Sequence, residues 1–125
     1  MNTINKYHNY LLYLIAISTM ARGLLAGFIE LGNDEVYYRL YALYPDWSHF
    51  DHPLMVGLLM QLTTLNLFFT GEFFLRLGAI IIGAINLWIV FKIGTEIKDS
   101  RTGYFASLLY AASIYSSIIT GVFIL

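Results

Sequence analysis

Leu54-Met55-Val56-Gly57-Leu58-Leu59-Met60-Gln61-Leu62-Thr63-Thr64-Leu65-Asn66-Leu67-Phe68-Phe69 is the stretch on which the architecture turns. It is apolar enough for a membrane and short for one. As a helix it reaches about 24 Å at 1.5 Å per residue, against the ~30 Å of a hydrocarbon core. Gly57, Gln61 and Thr64 recur at spacings of four and three, so one helical face is less apolar than the rest.

Longer apolar stretches lie on either side. One runs from about Tyr10 to Ile29, a second from about Phe73 to Ile93, a third from about Tyr104 to Leu125. Each has the ~20 residues a helical crossing takes. Lys6 precedes the first, and Lys92, Lys98 and Arg101 cluster between the second and third. The positive-inside rule places both basic groups in the cytoplasm, which requires an even number of crossings between them. A crossing by Leu54–Phe69 would make that number odd. This stretch therefore reads as a flat, interfacial amphipathic helix. The segment 30–72 then lies outside, with Glu30, Asp34, Glu35, Asp46, Asp51 and Glu72 against Arg39 and Arg76.

Composition agrees with a membrane protein. The 125 residues are 58% hydrophobic and 12% charged, where a soluble domain carries about 25% charge. Net charge is −1 with no basic run, which leaves nucleic-acid binding without electrostatic support. With no cysteine there is no disulfide framework, thiolate nucleophile or Cys-type zinc site. The expected fold is all-α: three transmembrane helices plus two short helices in the outer loop, over residues 1–125. The first span reads as retained rather than cleaved, because its core is long, Arg22 follows Ala21 and further spans come after it. Arg22 lies deep in that span and should face protein or water. Gly23 and Gly27 form a small-residue pair that permits close packing. The chain stops at Gly121-Val122-Phe123-Ile124-Leu125, in mid-span, which reads as a truncation.

The outer loop carries the candidate chemistry. Asn33 is expected to cap a short helix from Asp34 to about Tyr44, stopped by Pro45. Acids in a first turn complement the helix dipole, and Glu35 can pair with Arg39 at i,i+4. Neighbours on a helix differ by about 100°, so Asp34 and Glu35 cannot both face one substrate atom. Asp34 shares a face with Tyr38. Asp34 is accordingly the candidate general base, with Glu35 as its support. His52, before Pro53, is a candidate donor to a phosphate, and Arg76 sits within reach of headgroups or snorkels there. His49, Asp51 and His52 match no strong metal-ligand spacing, so no metal or other cofactor is expected. Asn86, Ser113, Ser116 and Ser117 read as interhelical glue, Trp47 as an interfacial anchor and Trp88 as a packing residue.

Asn33-Asp34-Glu35-Val36-Tyr37-Tyr38, Phe50-Asp51-His52-Pro53-Leu54 and Phe74-Leu75-Arg76-Leu77-Gly78, in that order, resemble the lipid-linked-sugar glycosyltransferases of GT-C type. The resemblance extends over essentially the whole chain. It is closest to the bacterial branch of the dolichyl-phosphate-mannose–protein mannosyltransferases and to the aminoarabinose transferases of lipid A. It implies inverting transfer of a sugar from a polyprenyl-phosphate donor, at the extracytoplasmic face of a bacterial inner membrane. Asp34 would be the base, and His52, Arg76 and Tyr38 would meet the donor phosphate. The family more often has Pro where Leu54 stands, and some members have Lys at His52. Its members are several times longer, so an isolated piece is expected to be inactive. The alternative is a non-catalytic membrane scaffold or remnant.

Overall fold

The structure, a computed structural model, describes residues 3–28, 32–46 and 55–113; the side chains of residues 3–5, 33 and 34 lie outside that description. Among the described residues five helices follow in order: α1 Thr3–Phe28, α2 Asn33–Leu43, α3 Met55–Thr63, α4 Glu72–Ile97 and α5 Ser100–Ala112. No strand occurs among the described residues.

α1 and α4 are the long elements. Their stretches Lys6–Phe28 and Glu72–Ile97 are long and apolar enough to cross a membrane. They run antiparallel. His8 of α1 packs edge-on against Phe91 of α4, and the opposite end joins Ala26 to Arg76. Large apolar side chains such as Ile17, Met20 and Leu24 stay exposed along α1, as a lipid-facing helix requires.

Two helices long and apolar enough to cross a membrane are therefore present among the described residues, where the sequence predicts three. The third falls on α5, which is only 13 residues long. It starts early because the Asp99 carboxylate accepts a hydrogen bond from the Thr102 N–H at 2.7 Å. That bond, with help from Lys98 and Arg101, lowers the Asp99 pKa. It ends at Ser113, whose backbone is extended and whose N–H and hydroxyl both donate to the Tyr110 carbonyl. Ser116, Ser117 and the rest of the expected span lie outside the described residues.

α4 turns back at Lys98 and Asp99 into α5, and the two helices meet at a pair of glycines. A Cβ on Gly94 would lie 2.7 Å from the Gly103 Cα, so the two backbones touch where no side chain fits. Ser107 donates to the Leu87 carbonyl at 3.0 Å and Asn86 to the Tyr110 hydroxyl at 3.3 Å, which ties α5 to α4. Asn86 thus acts as glue between helices. Trp88, read as a packing residue, is instead half exposed beside Lys92. Gly23 and Gly27 do not make the close approach their spacing permits: Gly23 has Phe73 at ordinary contact distance and Gly27 faces open space.

At the other end α2 and α3 pack on each other and on the start of α4. Tyr38, Ala42, Met60 and Leu75 form a small buried core there. Gly57 lets α3 approach the α2 backbone, since a Cβ would sit 2.9 Å from the Tyr41 carbonyl oxygen. Gln61 donates to the Ala42 carbonyl at 2.7 Å, one of the orphan acceptors at the end of α2. The polar face read from Gly57, Gln61 and Thr64 is thus turned onto protein.

α3 is shorter than the predicted Leu54–Phe69. The Thr63 and Thr64 hydroxyls turn back onto Leu59 and Met60 carbonyls. The chain then leaves the helix through a left-handed residue, Leu65. Leu65 N–H bonds to the Leu62 carbonyl and Asn66 N–H to the Gln61 carbonyl, the paired bonds of a Schellman ending. Leu65, Asn66 and Leu67 all have positive φ, at 50°, 56° and 63°.

Candidate functional site

α1 is described as far as Phe28, with Ala26 two residues before that limit. α2 begins at Asn33 after an N-cap at Gly32, rather than the predicted Asn33, and its first N–H groups have no partner within the helix. Two side chains join these elements at one junction. Arg76 of α4 donates through Nη1 to the Ala26 carbonyl at 2.9 Å. Its Nε donates to Glu35 Oε1 at 2.7 Å and its Nη2 to Glu35 Oε2 at 2.6 Å. Glu35, three residues beyond the cap, also accepts from the Gly32 N–H at 2.8 Å.

The pair is bidentate and 1% exposed on both sides. A buried guanidinium–carboxylate fork of this geometry fixes direction as well as distance. It locks the C-terminus of α1, the first turn of α2 and the first turns of α4 to one another. An anion in the first turn of α2 also opposes that helix's dipole favourably.

These contacts correct two expectations. Glu35 does not pair with Arg39 one turn along α2; its partner stands 41 residues away. Arg76 does not snorkel to headgroups, because it is enclosed by the helix ends it ties. Tyr38, one turn after Asp34, is 2% exposed in the core beneath the junction. Asp34 occupies the first turn of α2, directly before Glu35, and its side chain lies outside the described residues. His52, with Trp47, His49 and Asp51, falls in 47–54, also outside them. The structure therefore joins Glu35, Arg76 and the Tyr38 core. The parts played by the Ala26 carbonyl and the Gly32 N–H were not foreseen, though the orphaned N–H groups at a helix start were a legible signal.

Among the described residues, two further cations carry buried nitrogens without a hydrogen bond: Nη2 of Arg22 in α1 and Nε of Arg39 in α2. Arg22 is 5% exposed, so it does face protein as predicted. Among the described residues no group of three His, Cys, Asp or Glu could hold a metal ion.

No curated protein and no solved structure matches the chain. The family of dolichyl-phosphate-mannose-protein mannosyltransferases matches residues 51–122. The matched range takes in His52, α3, Arg76 and α4, and leaves Asp34, Glu35 and Tyr38 before it. It is narrower than the whole-chain resemblance expected from the motifs. It still covers more than half of the 125 residues, and two long apolar helices agree with it: the chain belongs to the dolichyl-phosphate-mannose-protein mannosyltransferase family.

Proposed function

We propose that this chain forms the first part of the membrane domain of a glycosyltransferase that moves a sugar from a polyprenyl-phosphate donor to an acceptor at the extracytoplasmic face, with inversion. The family match carries the reading. The buried junction adds a physical reason for the site's position. General-base catalysis needs a carboxylate held still against the acceptor. Asp34 is that base. Its backbone is fixed because the next residue, Glu35, is clamped by Arg76 and by Gly32. Glu35 is thus the positioning residue.

Arg76 spends its guanidinium on Glu35 and on the Ala26 carbonyl, so its part is to hold the first turn of α2. Tyr38 packs below it. His52 is left as the donor-phosphate contact, since an imidazolium can pair with an anion at the membrane surface. Inversion then follows from attack on the sugar carbon opposite the departing phosphate.

The test uses the complete gene product in membranes, supplied with a β-linked polyprenyl-phosphate sugar. An α-linked product supports the reading. A β-linked product, or transfer that depends on a nucleotide sugar instead, contradicts it.

A further inference from the structure

The end of the bundle away from the Glu35–Arg76 junction carries four exposed cations, Lys6, Lys92, Lys98 and Arg101, against the acids Glu96 and Asp99. The packing of Tyr7 and Tyr10 on Tyr104, and of His8 on Phe91, brings the start of α1, the end of α4 and the start of α5 to this same end. Asp99 is occupied in capping α5.

Three of the cations share one local device on three different helices. Lys6 lies 5.7 Å from the centre of the Tyr10 ring, Lys92 lies 5.7 Å from that of Trp88, and Arg101 lies 5.8 Å from that of Phe105. Each ring is four residues from its cation, one turn along the same helix. A lysine that merely snorkels to water needs no such ring. A cation resting on an aromatic face keeps its N–H donors available while its long side chain is held in place.

The rings and their surroundings face outward. Ile93 and Ile97 stand exposed between Lys92 and Lys98 on α4, at 54% and 77%. A surface that sets exposed apolar side chains directly beside fixed cations matches an amphiphile with an anionic head. Neither nucleic acid nor an acidic soluble protein would cover the apolar part.

We propose that this rim is a selective binding surface for anionic glycerophospholipids, with Lys6, Lys92 and Arg101 meeting the headgroup phosphates and Tyr10, Trp88 and Phe105 holding those cations at headgroup depth. Aromatic rings favour that depth.

Trp88 supplies its own reporter. The 125-residue chain, expressed as it stands, has two tryptophans, so in it Trp47→Phe leaves Trp88 as the single indole fluorophore. The protein is reconstituted in phosphatidylcholine vesicles in which brominated phosphatidylglycerol or brominated phosphatidylcholine replaces part of the lipid. The phosphatidylglycerol is expected to quench Trp88 with about fivefold higher relative affinity, the factor a single basic residue gives at an anionic surface. Lys92→Gln should bring that ratio towards one and Lys92→Arg should keep it. Joining Lys6→Gln and Arg101→Gln to Lys92→Gln should abolish it. Equal quenching by the two lipids in the Trp47→Phe protein, or a preference that survives the triple substitution, overturns the proposal. So does a loss in Lys92→Arg as large as in Lys92→Gln.

Discussion

Arg76 stands four residues into a 26-residue apolar helix and is almost wholly enclosed. That position is tolerable because each nitrogen of its fork has an acceptor, and because the acceptors are a carboxylate and a backbone carbonyl. Removing one partner of a buried pair leaves a charge without compensation, which costs about 3–5 kcal/mol. Replacing both partners by apolar groups is often nearly neutral. Glu35→Gln should therefore lower the melting temperature in detergent sharply, and Glu35→Leu joined to Arg76→Leu should recover most of the loss. A double variant no more stable than Glu35→Gln would show that the pair is not coupled. The partnership was only half legible in the sequence. Helix spacing offered Arg39 to Glu35, and nothing local ranks a residue 41 positions away above it. The available signal was Arg76 itself: a charge beyond the first turn of an apolar helix demands a counter-charge, and the acids of segment 30–72 were the candidates.

At the scale of elements, the long apolar helices were legible because hydropathy alone identifies them. Their ends were less so. α3 stops at Thr63 although apolar residues continue to Phe69, and no Gly or Pro marks the stop. The break is made by threonine hydroxyls competing for helix carbonyls and by Leu65 in a left-handed conformation, which hydropathy cannot register. A side chain in that region costs about 1–2 kcal/mol relative to glycine. Leu65 is 63% exposed and loses little packing if removed. Leu65→Gly should thus stabilise the α3 ending by about 1 kcal/mol, read as a higher denaturation midpoint; a clear destabilisation would argue against the Schellman geometry. The glycines make a second comparison. A Cβ on Gly103 would collide with the Phe91 carbonyl oxygen, whereas one on Gly27 meets nothing. Gly103→Ala should cost about 1–3 kcal/mol by overpacking, while Gly27→Ala should be tolerated. Equal effects would contradict the α4–α5 contact. The Gly23–Gly27 spacing drew attention in the sequence, and the pair that closes a helix contact lies elsewhere, because spacing within one helix does not say which face meets a neighbour.

For the whole molecule, the structure gathers Lys6, Lys92, Lys98 and Arg101 at one end and the α1–α2–α4 junction at the other. An even number of crossings between the two basic groups predicts the same arrangement, and the antiparallel pairing of α1 and α4 supplies it. With the basic end cytoplasmic, cysteine at exposed Asp46 should react with an impermeant thiol reagent in intact cells, and cysteine at exposed Lys98 should not. The reverse pattern would invert the protein and place the junction on the wrong side for an extracytoplasmic donor. The proposed base had the opposite kind of legibility: an acid pair after the first span and its resemblance to a family order singled out Asp34, while burial and pairing singled out its neighbour. Transfer activity separates the two. In the complete gene product, with a polyprenyl-phosphate sugar as donor, Asp34→Asn should lower transfer by about 10²–10⁴-fold with melting temperature and membrane level unchanged. Transfer at the wild-type rate by Asp34→Asn would contradict the assignment of the base and, with it, the account of why the junction is built beside that residue.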